Sequence, residues 1–126
     1  MPCQTCAPSA SPPVPTDWTL ALNFTGGGLY SPQGIAIDAS GNVWVTDFYS
    51  SAGVNSGNGS VSELNVSGNP ASGSPFTGGG LGNPSSIAID ASGNVWVANY
   101  TGHSVTEFVG AAAPVKAPLI GLPQKP

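Results

Sequence analysis

A chain of 126 residues has room for one small domain. Only 6% of its residues are Asp, Glu, Lys or Arg, against roughly 25% in an average soluble domain. With two Lys, no Arg and a net charge of −4, the chain lacks the clustered cations that nucleic acid or an anionic membrane surface requires, and no apolar run is long enough for a membrane-spanning helix.

The N-terminal stretch, residues 1–17, is Pro- and Ser-rich and reads as a disordered tail. It has neither the cationic start nor the apolar centre of a signal peptide. Cys3 and Cys6 form a C-x-x-C within it. Zinc needs four ligands, and His103 is the one remaining Cys or His. A redox C-x-x-C normally opens a helix, and the Pro-rich flanks oppose one. A tail role is the expectation for this pair.

From residue 18 onward the chain is punctuated by Gly, Asn, Ser and Pro, and no window combines strong helix formers with a 3.6-residue apolar period. The pattern is all-β, and it repeats. Phe24 opens FTGGGLYSPQGIAIDASGNVWVTDF, and Phe76 opens FTGGGLGNPSSIAIDASGNVWVANY. Further on, Ser60 to Leu64 (SVSEL) matches Ser104 to Phe108 (SVTEF) at a shorter offset. The first copy therefore carries an insertion between Tyr49 and Gly59, which marks a loop.

Each copy predicts successive short strands. Ile35 to Asp38 is followed by the tight turn Ala39-Ser40-Gly41-Asn42 and by Val43 to Val45, and Ile87 to Val97 repeats this unit. Ser60 to Val66 and Ser104 to Val109 supply a third strand. A fourth is expected from Thr19 to Phe24, from around Pro75-Phe76, and from about Val115 to Leu119. Val-Trp-Val does not alternate with polar residues, so its strand is expected to be covered on both faces, as in a propeller blade sandwiched between neighbours. The repeat length also matches a four-stranded blade.

The run from Pro32 to Asp47, P-x-G-I-A-I-D-A-S-G-N-V-W-V-T-D, resembles the NHL-repeat β-propellers and, more loosely, the virginiamycin B lyase-like and gluconolactonase-like propellers. The second copy, Pro84 to Asn99, differs in Ser86 for the Gly and Asn99 for the final Asp. The resemblance implies two tandem four-stranded antiparallel blades over residues 18–110, divided at about 24–75 and 76–110. Residues 18–24 are a candidate strand of a neighbouring blade. Residues 111–126 form a Pro-rich C-terminal tail with at most one edge strand. It further implies a ligand- or protein-binding platform rather than an enzyme.

Two blades are an incomplete ring, since propellers use four to eight. Each end of the stack would expose an apolar face on the order of 300 Å², comparable to the largest apolar patch of a typical monomer. The expected partners are therefore missing blades of a longer chain or further copies of this one, with three copies making six blades.

Residues present in both copies are expected to serve the scaffold. Asp38 and Asp90, each beside A-S-G-N, read as turn caps, because the alternating ligand spacing of a calcium loop is absent. Glu63 and Glu107 are likewise repeated and read as strand residues. Gly26 to Gly28 and Gly78 to Gly80 read as flexible connectors, with no Lys-Ser/Thr or helix following to make a phosphate cradle. His103 reads as a turn residue, with no nucleophile motif beside it.

The candidate ligand-binding residues are Phe48, Tyr49, Tyr100 and Asn99, aromatics beside polar groups at the root of the insertion and opposite it. Asp47 and Asn99 are the metal-ligand positions that the resemblance to lactonase-like propellers implies. A divalent ion such as Ca²⁺ or Mg²⁺ is expected there only if further blades contribute ligands, and no other cofactor is expected. No catalytic residue is assigned. The function expected is a non-enzymatic extracellular or periplasmic binding or structural platform, with carbohydrate or protein as partner and no nucleic acid or membrane insertion. The alternatives are a fragment of a metal-dependent lyase-like or lactonase-like enzyme, and a self-assembling structural unit.

Overall fold

In a computed structural model of the chain, residues 21–50 and 58–116 are described. Cys3, Cys6, most of the 49–59 insertion and the chain beyond Lys116 lie outside them, as does the start of the Thr19–Phe24 segment. The described chain is all-β: β1 (Pro32–Ile37), β2 (Val43–Asp47) and β3 (Ser60–Leu64), then β4 (Pro84–Ile89), β5 (Val95–Asn99) and β6 (Ser104–Phe108). These form two antiparallel three-stranded meanders, ordered β1-β2-β3 and β4-β5-β6.

The two sheets share one register. Ala36 faces Trp44 and Trp44 faces Glu63, and in the second copy Ala88 faces Trp96 and Trp96 faces Glu107. Both first strands carry the same irregularity, between Pro32 and Gly34 and between Pro84 and Ser86. Proline offers no N–H to a ladder, so each repeat's opening Pro sits where regular pairing breaks.

Four strands per blade were expected, and among the described residues three are found in each. Beyond β3 the chain makes isolated bridges only, Leu64 with Pro70 and Val61 with Phe76. Phe76 nevertheless exchanges two hydrogen bonds with Val61, at 2.7 and 2.9 Å. Pro70 and Pro75 lack the N–H groups that a continuous ladder needs, so the fourth strand is reduced to these contacts. Beyond β6 the chain turns under the sheets instead. Ala112 N–H donates to Gly93 O, Val115 N–H to Ala91 O, and Ala39 N–H to Ala113 O. Residues 112–115 thus bridge the two A-S-G-N turns rather than extend the second sheet.

The sheets pack face to face, with β1 beside β4. Trp44 and Val61 from one face of the first sheet meet Val95 and Val97 from the second, with Leu81 and Ala112 completing the buried core. Phe76 stacks on Trp44 with ring centroids 5.6 Å apart and touches Phe108 at 6.2 Å. Gly34 lies at a close approach of β1 to β4, because a Cβ there would lie 3.0 Å from Ser86 Cα.

The Gly-rich connectors are built turns rather than slack chain. Leu29 N–H donates to Gly26 O and Leu81 N–H to Gly78 O, closing equivalent turns. At the other end Gly59, with φ of +75°, lies where a Cβ would run into Pro84 of the second sheet and the Asp47 carbonyl. Gly59→Ala is expected to cost about 2–4 kcal/mol, from the left-handed backbone and the clash together. Gly78→Ala, with φ of +89° and open space around it, is expected to cost about 1 kcal/mol. Urea unfolding at one fixed protein concentration checks the ranking, and equal losses would mean that Gly59 does not set the fit between the sheets.

Candidate functional site

The D-A-S-G-N-V-W segment folds identically twice. Asp38 accepts hydrogen bonds from Ser40 N–H, Asn42 N–H, the Asn42 amide and the Trp44 indole. Asp90 does the same with Ser92, Asn94 and Trp96. Asp38 takes one bond more, from Ala113 N–H at 3.1 Å. Burial raises the Asp38 carboxyl, but the bonds from Ala113, Trp44 and Asn42 outweigh it and hold the pKa at about 2. The Trp96 and Asn94 bonds hold Asp90 at about 2 as well. Both carboxylates are turn and indole clamps.

At the other end of the blades stand Asp47 and Asn99, both buried. Asp47 Oδ1 accepts from Tyr30 N–H, and Oδ2 accepts from the Ser62 and Ser60 hydroxyls. Asn99 Oδ1 accepts from Gly82 N–H, while its Nδ2 donates to the Ser104 and Thr106 hydroxyls. One heavy-atom network is thus built with an acid in the first copy and an amide in the second. Burial pushes the Asp47 carboxyl above its ordinary value, against the lowering pull of the bonds from Ser62, Tyr30 and Ser60. These bonds occupy the atoms that the metal reading would use. Among the described residues, no group of three or more His, Cys, Asp or Glu is placed to hold a metal ion.

The chain just beyond these two residues brings the predicted aromatics together. Phe48 lies 5.0 Å from Tyr49, edge on, and 5.9 Å from Tyr100, tilted. Tyr100 is 67% exposed, and Phe48 and Tyr49 are half-buried. Asn83 joins the two copies beneath this cluster. Its amide donates to Phe48 O at 2.8 Å, its carbonyl O accepts from Tyr100 N–H, and its Oδ1 accepts from the Thr101 hydroxyl. Sequence reasoning passed over Asn83; the available signal was Asn where the first copy has Ser31, directly before a repeated Pro.

The remaining candidates are placed simply. His103 is exposed in the β5–β6 turn with φ of +49°. Glu63 is half-buried, its carboxyl raised by burial and by the charge of Asp38, whereas Glu107 is exposed.

Two antiparallel three-stranded sheets of one register, packed face to face, are consistent with incomplete blades of a β-propeller. The family model of the NHL repeat matches the chain at two places, residues 19–52 and 81–108. The first match ends inside the insertion and the second runs to the end of β6. No curated protein matches the chain.

The carboxylates give opposite pH dependences. Asp38 and Asp90, depressed in the fold, contribute stability that is present above about pH 4 and lost as pH falls towards 2. Asp47, raised in the fold, contributes stability that is full below about pH 4 and lost as pH rises through its folded value. Asp47→Asn, which copies the Asn99 arrangement, is expected to keep the fold and to gain on wild type between pH 4 and pH 7. Asp47→Ala orphans two hydroxyls and an N–H and is expected to cost about 2–4 kcal/mol. Unfolding curves at the two pH values check both expectations.

Proposed function

We propose that this chain is a non-catalytic propeller module that binds a neutral polar ligand, a carbohydrate first, at the end of the blades where Phe48, Tyr49 and Tyr100 meet. The observation that supports this is the convergence of three aromatic rings from two repeats around an exposed Tyr100. Aromatic faces beside Asn, Ser and Thr suit a sugar, which offers C–H groups to a ring and hydroxyls to polar neighbours. The insertion falls at this same end in the first copy, and variable loops on a rigid scaffold are where recognition commonly sits. A surface with so few charges suits a protein working outside the cytoplasm.

The metal-dependent lyase-like or lactonase-like alternative would recruit Asp47 and Asn99. Both side chains are engaged inside their own blades, and freeing Asp47 would leave three donors without an acceptor. The binding reading asks for no such rearrangement.

A glycan array probed with the full chain tests the proposal. Tyr100→Ala and Tyr49→Ala are expected to weaken binding about tenfold, the ~1.4 kcal/mol expected of a well-placed aromatic contact, with an unchanged β-sheet circular dichroism spectrum. Glycan binding equally strong in both variants would remove the cluster as the site. Binding to peptides with no glycan bound would replace the ligand class.

A further inference from the structure

The two outer faces of the molecule are copies of the two faces joined inside it. On the open side of the first sheet, Phe24, Ile35, Val43, Val45, Leu64 and Val66 line a concave apolar groove of about 400 Å³. The second-copy equivalents of Phe24, Ile35, Val43, Val45 and Leu64 are Phe76, Ile87, Val95, Val97 and Phe108, and all five build or pack on the core. On the open side of the second sheet, Trp96 is 40% and Val105 63% exposed, whereas their first-copy equivalents Trp44 and Val61 are fully buried. The chain therefore carries one finished interface and the two unmatched halves of a second.

We infer that a second copy of this chain covers each open face, head to tail. Trp96 of one copy stacks on Phe24 of the next as Trp44 stacks on Phe76, and the Phe24 segment pairs with the edge of β6 at Val105 as Phe76 pairs with Val61. The inference rests on the propeller reading and names its partner. Its basis is continuity with the internal interface. Phe76 belongs to the second repeat by sequence, yet it bonds to β3 of the first. Each repeat thus lends its opening Phe to the sheet before it. Phe24, 45% exposed, opens the first repeat with no earlier sheet among the described residues to receive it. β6 is the matching edge strand of the last sheet.

The contact is head to tail, so it uses different faces on the two partners and closes only as a ring. Closure also answers the question of strength. Three strands of about five residues present roughly 250 Å² per face, or about 500 Å² per contact, well under the ~1,200 Å² of a stable interface. One such contact is weak, whereas a ring adds a final contact at no further cost of association. Rings of four to eight blades correspond here to two to four copies. Ser86 stands where the internal contact has Gly34, so the inner strands sit slightly further apart at the contact between copies.

Light scattering after size exclusion gives the mass of the full chain. A discrete species of two to four copies is expected, and Phe24→Lys or Val105→Lys should each reduce it to monomer with an unchanged circular dichroism spectrum. Both sites are already open to solvent, so neither change disturbs the core. In a Cys3→Ser, Cys6→Ser background, Phe24→Cys combined with Trp96→Cys should give a ladder with a short bismaleimide that stops at the native copy number. Either cysteine alone should give none. A monomeric wild-type chain, whether its faces are covered by its own termini or left open, overturns the inference. So does an oligomer that survives both Lys variants, or growth without a limiting mass. A monomer that still binds glycan through Tyr100 would sink only this inference, and a ring that binds nothing would sink only the proposed function.

Discussion

Trp44 is held by two forces of different kind. Its indole N–H is fixed to the Asp38 carboxylate at 3.1 Å, and its ring is stacked on Phe76 and fully buried between the sheets. The hydrogen bond is local and sets where the ring points. The stacking is non-local and rewards that orientation with apolar burial, at roughly 25 cal/mol per Å². The local half alone does not create a core: Trp96 makes the same bond to Asp90, at 2.9 Å, and its ring stays partly in water. The indole clamp is therefore a property of the single blade, made whether the ring is buried, as in Trp44, or partly exposed, as in Trp96.

The two sheets fit because their contact is asymmetric. A Trp face meets a Val face, and β1 packs beside β4, where Gly34 removes the Cβ that would meet Ser86. The tail from Ala112 to Val115 then ties both A-S-G-N turns from below, and Asn83 ties both copies near the aromatic cluster. The interface is thus apolar in the middle and hydrogen-bonded at both ends, which fixes the register of one blade on the next.

Much of this was legible in the residues. The repeat placed all six strands, because D-A-S-G-N between Ile-Ala-Ile and Val-Trp-Val allows little besides a clamped hairpin. Non-alternating Val-Trp-Val announced cover on both sides; within this chain each sheet is covered on one, the Trp44 side of the first and the Val95 and Val97 side of the second. The fourth strand was misjudged because apolar residues near Phe76 were weighed without the cost of Pro70 and Pro75 to a ladder. Comparing the copies separated the shared clamps Asp38 and Asp90 from the differing positions, yet it passed over Asn83, which differs because it serves the joint between copies. The metal reading of Asp47 came from resemblance alone, and three hydrogen bonds now account for its position. Phe48 and Tyr100 are the same position of the two repeats, 52 residues apart, so the repeat already puts them at one end of neighbouring sheets, and their rings come to 5.9 Å. That proximity is a product of blade packing.

The β2–β3 and β5–β6 connections run over residues 48–59 and 100–103, yet the strands they join pair identically, Asp47 with Ser60 and Asn99 with Ser104. Closing a loop about three times longer costs only about 1 kcal/mol by the logarithmic dependence of loop entropy on length. Length is thus nearly free at this one end of the blade, while the opposite end is bound by the turn clamps and the tail. Variation accumulating along such a chain would be channelled to a single rim, so that one scaffold could be diversified in what it touches without renegotiating how it folds.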